Sequence, residues 1–459
     1  MKRSALLVLV LASSLTSIAQ FNFSRIHNQQ MHNMASADLP SLLGDDIRTA
    51  EIFLPSIYAG FANNMISAGL LREFTNPNSS IDSLADRYVR DFPKTGTVWA
   101  GADIPVFSVF FNVNKKGREP FLSFGMGVRT RADLNLNLDK NLISLLYNGN
   151  KQFAGETVNL APSINLLATN ETFLAVALRI KPFQIDSKHV ITVKPAIRLR
   201  RISGLANINM INSSLDMYTD PNGEFIRFNS VLQANMATIG DTPSVSGFGE
   251  NLDMSNMLKA PGRGLGIDVG VGVKLNKNIQ AHVGIVDIGS IHFKRNVANY
   301  SSKGEIVYDG VDLNNPEESF STAKLEDLLD PEITHNAYKT PLPTRLVMSG
   351  SYLMKEKTRR GVTYFKHNVT AIYVQGFRNY LSTTSTPALN VGYSYNLANM
   401  VNTGLHMTVG GLNGFMTGAH LGFRLGAVKF GFASNNMFPI LYKQGGRGTD
   451  LNLWFGFYF

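Results

Sequence analysis

Nine histidines are the residues best suited to acid–base or metal chemistry, and their spacing argues against both. No two stand four apart, as imidazoles on one helix face must to share a metal ion. The chain has no cysteine, which excludes thiolate metal sites, cysteine nucleophiles and disulfides. His282, His406 and His420 sit on the polar side of alternating segments, and no serine is tied to them by spacing. A hydrolytic Ser–His pair therefore ranks below a plain polar lining. Glu317, Glu318, Glu326, Asp327, Asp330 and Glu332 gather in one stretch. They lack the one-apart oxygen ligands of a compact calcium loop, so a solvated face around a helix at Ser321 to Leu329 is the better reading. Gly262-Arg263-Gly264-Leu265-Gly266 has no Lys-Ser/Thr after it and runs into a strand, so strand-entry glycines explain it better than a phosphate loop. No motif points to a cofactor or to catalysis.

Charge is the remaining chemistry. Arg129, Arg131, Arg179, Lys194, Arg198, Arg200, Arg424 and Lys429 fall on the polar side of their segments, with Asp268 facing the same way. Inside a barrel they would give the lumen a positive field that favours anions. The structural alternative is preferred: buried charges must be paired or hydrated, and a barrel need not enclose an open pore. The sequence pI is about 9.5, yet the basic residues are scattered rather than clustered, which disfavours nucleic acid as a partner.

The elements that place these side chains are strands. Leu122, Phe124, Met126 and Val128 alternate with Ser123, Gly125, Gly127 and Arg129; Val193, Ile197 and Leu199 with Lys194, Arg198 and Arg200. Leu265, Ile267, Val269, Val271 and Val273 oppose Gly266, Asp268, Gly270, Gly272 and Lys274. A turn at Asn276-Lys277-Asn278 then leads to Ile279, Ala281, Val283 and Ile285, opposed by Gln280, His282 and Gly284. Successive strand residues point to opposite faces, so each segment has an aliphatic face and a face of charge and glycine. From Asn379 to Phe423 there is no Asp, Glu, Lys or Arg, but recurring Asn and Gly with Pro387 rule out a membrane helix there. Asn413-Gly414 is a tight-turn dipeptide between two of these strands. Charged residues are only 17% of the chain and mean hydropathy is −0.02. That balance suits a barrel apolar outside and polar inside. The expected fold is all-β: a transmembrane antiparallel β-barrel of about 14 strands, range 12 to 18, with short helical insertions.

The two ends of the chain agree. Leu451, Leu453, Phe455, Phe457 and Phe459 share one face of a last strand ending at the final residue. That surface would be an aggregation hazard in water and a lipid-facing strand in a bilayer. A terminal Phe there resembles the assembly signal of outer-membrane barrels, read by the barrel-assembly machinery. Lys2 and Arg3, the apolar run Ala5 to Leu15, and Ser17-Ile18-Ala19 form a signal peptide over residues 1–19, cut before Gln20. Export to the bacterial outer membrane follows, without a lipid anchor.

Residues 20–50 are expected to be either a periplasmic or lumen-plugging segment or a disordered N-terminus, with a short helix over Ser36 to Leu43. Strand alternation is expected from Ile52 to the end, so residues 51–459 form the barrel. Long loops are expected at 236–262 and 299–340, a short helix at Leu138 to Tyr147, and a hairpin turn at Gly445-Gly446-Arg447-Gly448.

The order of several weak motifs carries a resemblance. They are Ile52-Phe53-Leu54-Pro55, Leu142-Ile143-Ser144-Leu145-Leu146 with Gly149-Asn150, Phe153-Ala154-Gly155, and Arg201-Ile202-Ser203-Gly204-Leu205-Ala206. Then come Gly266-Ile267-Asp268-Val269-Gly270, Val286-Asp287-Ile288-Gly289-Ser290-Ile291 and Pro341-Leu342-Pro343-Thr344-Arg345. Together they resemble a Bacteroidetes outer-membrane β-barrel family of unknown function. That family is similar in architecture to the long-chain fatty-acid transporter and the type IX secretion accessory barrels. Ala37-Asp38-Leu39-Pro40 departs from the Asn-Pro-Ala of many relatives. The resemblance transfers no catalytic residue. It implies a non-enzymatic channel or transporter for small or hydrophobic solutes. The alternative is an accessory barrel that binds an envelope protein partner through its long loops.

Overall fold

A computed structural model describes residues 21–29, 33–44, 50–76, 80–113, 120–180, 183–184, 190–239, 259–309, 332–359, 362–411, 414–437 and 448–459. Residues 1–20, 240–258, 310–331, 412–413 and 438–447 are among those outside the described residues. So are the expectations that fall on them: the acidic helix, the Asn413 turn and the signal peptide.

Fourteen antiparallel strands close into a barrel. β1 runs Ala50–Phe53 and resumes at Ile57–Asn63 after Pro55; β2 is Thr95–Val113, β3 Leu122–Asp139, β4 Ser163–Leu178 and β5 Val190–Thr219. β6 is Gly262–Leu275, β7 Ile279–Phe293, β8 Arg345–Arg359, β9 Val362–Gly376 and β10 Ala388–Leu397. β11 is Val401–Gly410, β12 Gly414–Leu425, β13 Val428–Ser434 and β14 Asp450–Tyr458. Closure falls between the last strand and the first, with Ile52 opposite Phe457 and Ile57 opposite Leu453.

The period of two decides what each face meets. Along β6 the residues alternate strictly, Leu265 through Val273 exposed and Gly266 through Gly272 buried. The outward side chains are aliphatic or aromatic: Leu265 is 71% exposed and Leu405 70%. In a barrel such an outer band is what lipid covers. No helix of the described residues is long and apolar enough to cross a membrane.

The two barrel ends differ. Between β6 and β7 only residues 276–278 intervene, and between β12 and β13 only 426–427. Both termini of the barrel lie at this short-turn end. At the other end β5 outruns the wall: its 30 residues span roughly 100 Å when extended. Its upper half pairs with Ile226–Ala237, which pairs in turn with Val297–Tyr308. Three helices sit there too: Ala68–Thr75, Ile81–Asp91 and Lys140–Asn148. They pack through Ile66, Tyr88, Val89, Phe92 and Ile143.

The first two of these helices correct the expectation of unbroken strand from Ile52 onward. The Ser67 hydroxyl caps the first by accepting the Leu70 N–H, and Leu84, Tyr88 and Val89 recur at helical spacing along the second. The helix expected at Leu138 to Tyr147 begins after the Asp139 cap and ends at Gly149, whose φ of +80° is the left-handed conformation glycine tolerates. In place of a helix over Ser36 to Leu43 there are two 3-10 turns, Asn33–Ala37 and Pro40–Leu42, because Pro40 cannot continue a helix from before it.

Candidate functional site

The lumen is filled by the chain's own N-terminal segment. Residues 21–29 and 33–44 are buried throughout, apart from a half-buried Ala37. Phe21, Phe23, Ile26, Leu39 and Leu42 pack against Val286, Val347, Ile372 and Met416 of the wall. Met34 and Leu43 pack with Phe53, Phe110 and Trp454. Of the two open readings for residues 20–50, the described part follows the lumen-plugging one. None of these residues pairs with a strand, and their backbone–backbone hydrogen bonds are all internal, such as Asn28 N–H to Ser24 O. Attachment to the wall is made by side chains.

One set of attachments is ionic. Arg200 on β5 reaches Glu171 on β4 at 3.0 Å, Asp268 on β6 at 3.0 Å and Asp287 on β7 at 2.8 Å. Arg198 donates from Nε to Asp268 at 2.6 Å, and its Nη atoms donate to the segment's Ser36 and Ala37 carbonyls at 3.2 and 2.6 Å. Arg129 pairs with Glu171 at 2.8 Å, Arg131 with Asp287 at 2.8 Å, and Arg345 with Asp287 at 3.0 Å. From the segment, Arg25 pairs with Asp103 at 2.6 Å and stands 3.6 Å from Asp38. Burial opposes the Arg25 charge, but the Asp103 and Asp38 carboxylates outweigh it and hold its pKa above the ordinary guanidinium value. Burial raises the Asp38 carboxyl, and Arg25 offsets this only in part.

Six arginines therefore meet carboxylates of β2, β4, β6, β7 and the segment. Charges this buried persist because each finds opposite charge and hydrogen bonds. A small cleft of about 40 Å³ remains beside the network, lined by Phe21, Arg25, Asp38, Trp99 and Arg345 among others.

A second set is aromatic. His27 of the segment donates from Nε2 to Asn390 Oδ1 at 2.6 Å. Its ring stacks on His406 at 4.8 Å and lies 5.9 Å from His420, which is 6.2 Å from His406. Burial pushes the His27 imidazole down to about 4, against a smaller opposing effect of Asn390.

The other predicted lumen residues take separate places. Lys194 donates to the Leu43 carbonyl at 3.2 Å, and His282 meets Ser41 Oγ at 3.1 Å, so both touch the segment. Arg424 binds Asn399 at 2.8 Å, at the short-turn end. Lys429 is fully buried against Glu51, which also accepts the Asn33 amide N–H at 3.0 Å. Arg129, Arg131, Arg198, Arg200 and Asp268 are thus gathered in one network and His406 and His420 in another. On the last strand Leu451, Leu453 and Phe459 are exposed outward, with Phe455 and Phe457 half-buried.

Sequence reading does not find Arg25, His27, Asp103, Glu171, Asp287 or Arg345. For Asp287 the reason is local. Alternation along β7 puts Asp287 outside, but a bulge opposite Asp268 adds a residue, and φ of +60° at Asp287 turns it inward. There it accepts from arginines while its own N–H donates to Asp268 at 2.6 Å.

Comparison with known proteins gives the family. No curated protein matches the chain. Among solved structures it is similar to the toluene transporter TodX of P. putida, at 9% identity over 93% of this chain and 94% of that one, TM-score 0.41. It is similar to the toluene transporter TbuX of Ralstonia pickettii, at 8% identity over 94% of each chain, TM-score 0.43. A Pseudomonas aeruginosa FadL homologue is 9% identical over 97% of this chain and 98% of its own, TM-score 0.38. The Family of unknown function (DUF5723) matches residues 40–435, from inside the plugging segment to the end of the thirteenth strand, and the chain belongs to that family.

Proposed function

We propose that this protein is an outer-membrane conduit for small or hydrophobic solutes, held shut by its own N-terminal segment and acting without covalent chemistry. The observation that carries the reading is the way residues 21–29 and 33–44 are attached. They fill the lumen without a backbone–backbone hydrogen bond to the wall, so they can leave without breaking a rung of the barrel ladder. The apolar outer band, the short turns at one end and the large structures at the other support a place in the outer membrane with both barrel termini periplasmic. The wall is irregular where β1 breaks at Leu54-Pro55-Ser56 beside a bulge in β2 at Pro105–Phe107. Pro55 and Pro105 both lack an N–H, which weakens the ladder at that spot.

A second reading keeps the barrel closed as a scaffold for an envelope partner. The long ribbon of β5 with Ile226–Ala237 and Val297–Tyr308 favours it, because it stands clear of the barrel wall. Flux into lipid vesicles separates the two. Vesicles carrying the chain without residues 21–44 are expected to take up a small aromatic hydrocarbon faster than vesicles carrying the full-length chain. Equal rates, together with a crosslink from the ribbon to one envelope protein in intact cells, would favour the scaffold.

A further inference from the structure

We propose that His27, His406 and His420 form a proton-binding site that sets whether the N-terminal segment stays seated in the lumen. This rests on reading that segment as a removable closure.

The three rings are nearly parallel, with interplanar angles of 18°, 9° and 21°. That geometry suits neutral imidazoles and not a metal centre. Histidine ligands must aim lone pairs at one point about 2.0–2.1 Å away, whereas parallel rings send theirs along separate planes. Among the described residues no cluster fits a metal ion. Each ring also lies on a glycine of a neighbouring strand. A Cβ on Gly392 would fall 2.4 Å from His27 Cε1, one on Gly404 2.5 Å from His420 Cε1, and one on Gly418 2.2 Å from His406 Nε2. Backbone packed this close leaves the rings little room to tilt away from one another.

The charged groups around the stack do not favour a cation. β10 contributes Asn390 and Gly392, neither ionisable. β11 contributes His406, and β12 His420 and Arg424. Asn435, after β13, faces His406 and binds the Ser24 N–H at 2.9 Å, with Asp450 of β14 on its far side. From the segment comes Arg25, which is turned to Asp103. His27 therefore bonds to an amide and His406 faces one, and neither amide neutralises a proton.

A proton on any ring sets a cation against two imidazoles, and a second proton sets like charges about 5–6 Å apart. His406 and His420 are fixed in paired strands. His27 is carried by the element that has no strand pairing. Repulsion is relieved by that element moving, so protons and a seated segment compete for the same space.

The native chain has no cysteine, so a spin-label pair can be added cleanly at half-buried Ala37 and exposed Lys277 as Ala37→Cys and Lys277→Cys. With full-length protein in lipid, one narrow distance is expected at about pH 7, and at about pH 4.5 a longer distance grown roughly tenfold in population. The same pair in His406→Gln/His420→Gln is expected to keep the narrow distance at the lower pH. If that double variant fails to show heat-modifiable migration, each single variant serves and is expected to move the transition to lower pH. A distance unchanged by acid, or a change of equal size in the histidine variants, overturns the proposal. If the distance shifts but vesicles take up no solute, the conduit reading fails and the proton site stands. If solute passes and the distance does not shift, the proton site fails alone.

Discussion

Arg200 touches three carboxylates from three strands at 2.8–3.0 Å, so its loss is costly. Arg200→Ala leaves Glu171, Asp268 and Asp287 with one fewer cation, and breaking a buried ion pair this way costs about 3–5 kcal/mol. The measurement is the urea midpoint of the barrel in detergent, with Arg200→Lys recovering only part of the loss because one ammonium cannot replace a fork of donors. His27 gives a prediction of opposite chemistry. Its pKa falls from 6.5 to about 4 on burial, so the unseated state holds more protons between those values. Seating is then strongest above pH 6.5 and weakens as pH falls toward 4, by about 3 kcal/mol across the window. Trp99 lines the cleft beside Arg25, and Trp454 packs with Met34 and Leu43. As these are the chain's two tryptophans, their emission is expected to shift to the red over that pH range.

At the scale of elements, the strands are legible because alternation is imposed by the environment on each face. The inward position of Arg129, Arg198, Arg200, His406 and His420 follows from it directly. Their partners do not follow. Arg131 and Asp287 are 156 residues apart, and only closure of the barrel brings β3 to face β7. The plug is hidden for a related reason: Phe21, Phe23, Ile26, Leu39 and Leu42 contact the wall on all sides, so their spacing has no period to detect. Helix Ile81–Asp91 was within reach, since its apolar residues recur three and four apart. The outer face supplies a test of the strand assignment. Leu453→Arg places a charge on the band where lipid sits, and is expected to destabilise the barrel by about 2–4 kcal/mol if the site is near the bilayer midplane. Thermal shift of the folded band on a gel measures it. A loss equal to that of Arg at a loop-end position such as Leu146 would contradict the lipid-facing placement.

The whole molecule is a closed wall, a segment held in it by side chains, and two polar clusters that fasten one to the other. Arg25 with Asp103, Arg198 with the Ser36 and Ala37 carbonyls, and His27 with His406 all cross the same boundary. Because the segment shares no ladder with the wall, its removal is expected to leave the strands paired and the lumen open. The most direct test is conductance across a planar bilayer. The full-length chain is expected to be nearly silent at neutral pH, and the chain lacking residues 21–44 to give steady conductance steps. A shortened chain that runs as a folded barrel on a gel and still passes no current would contradict the account.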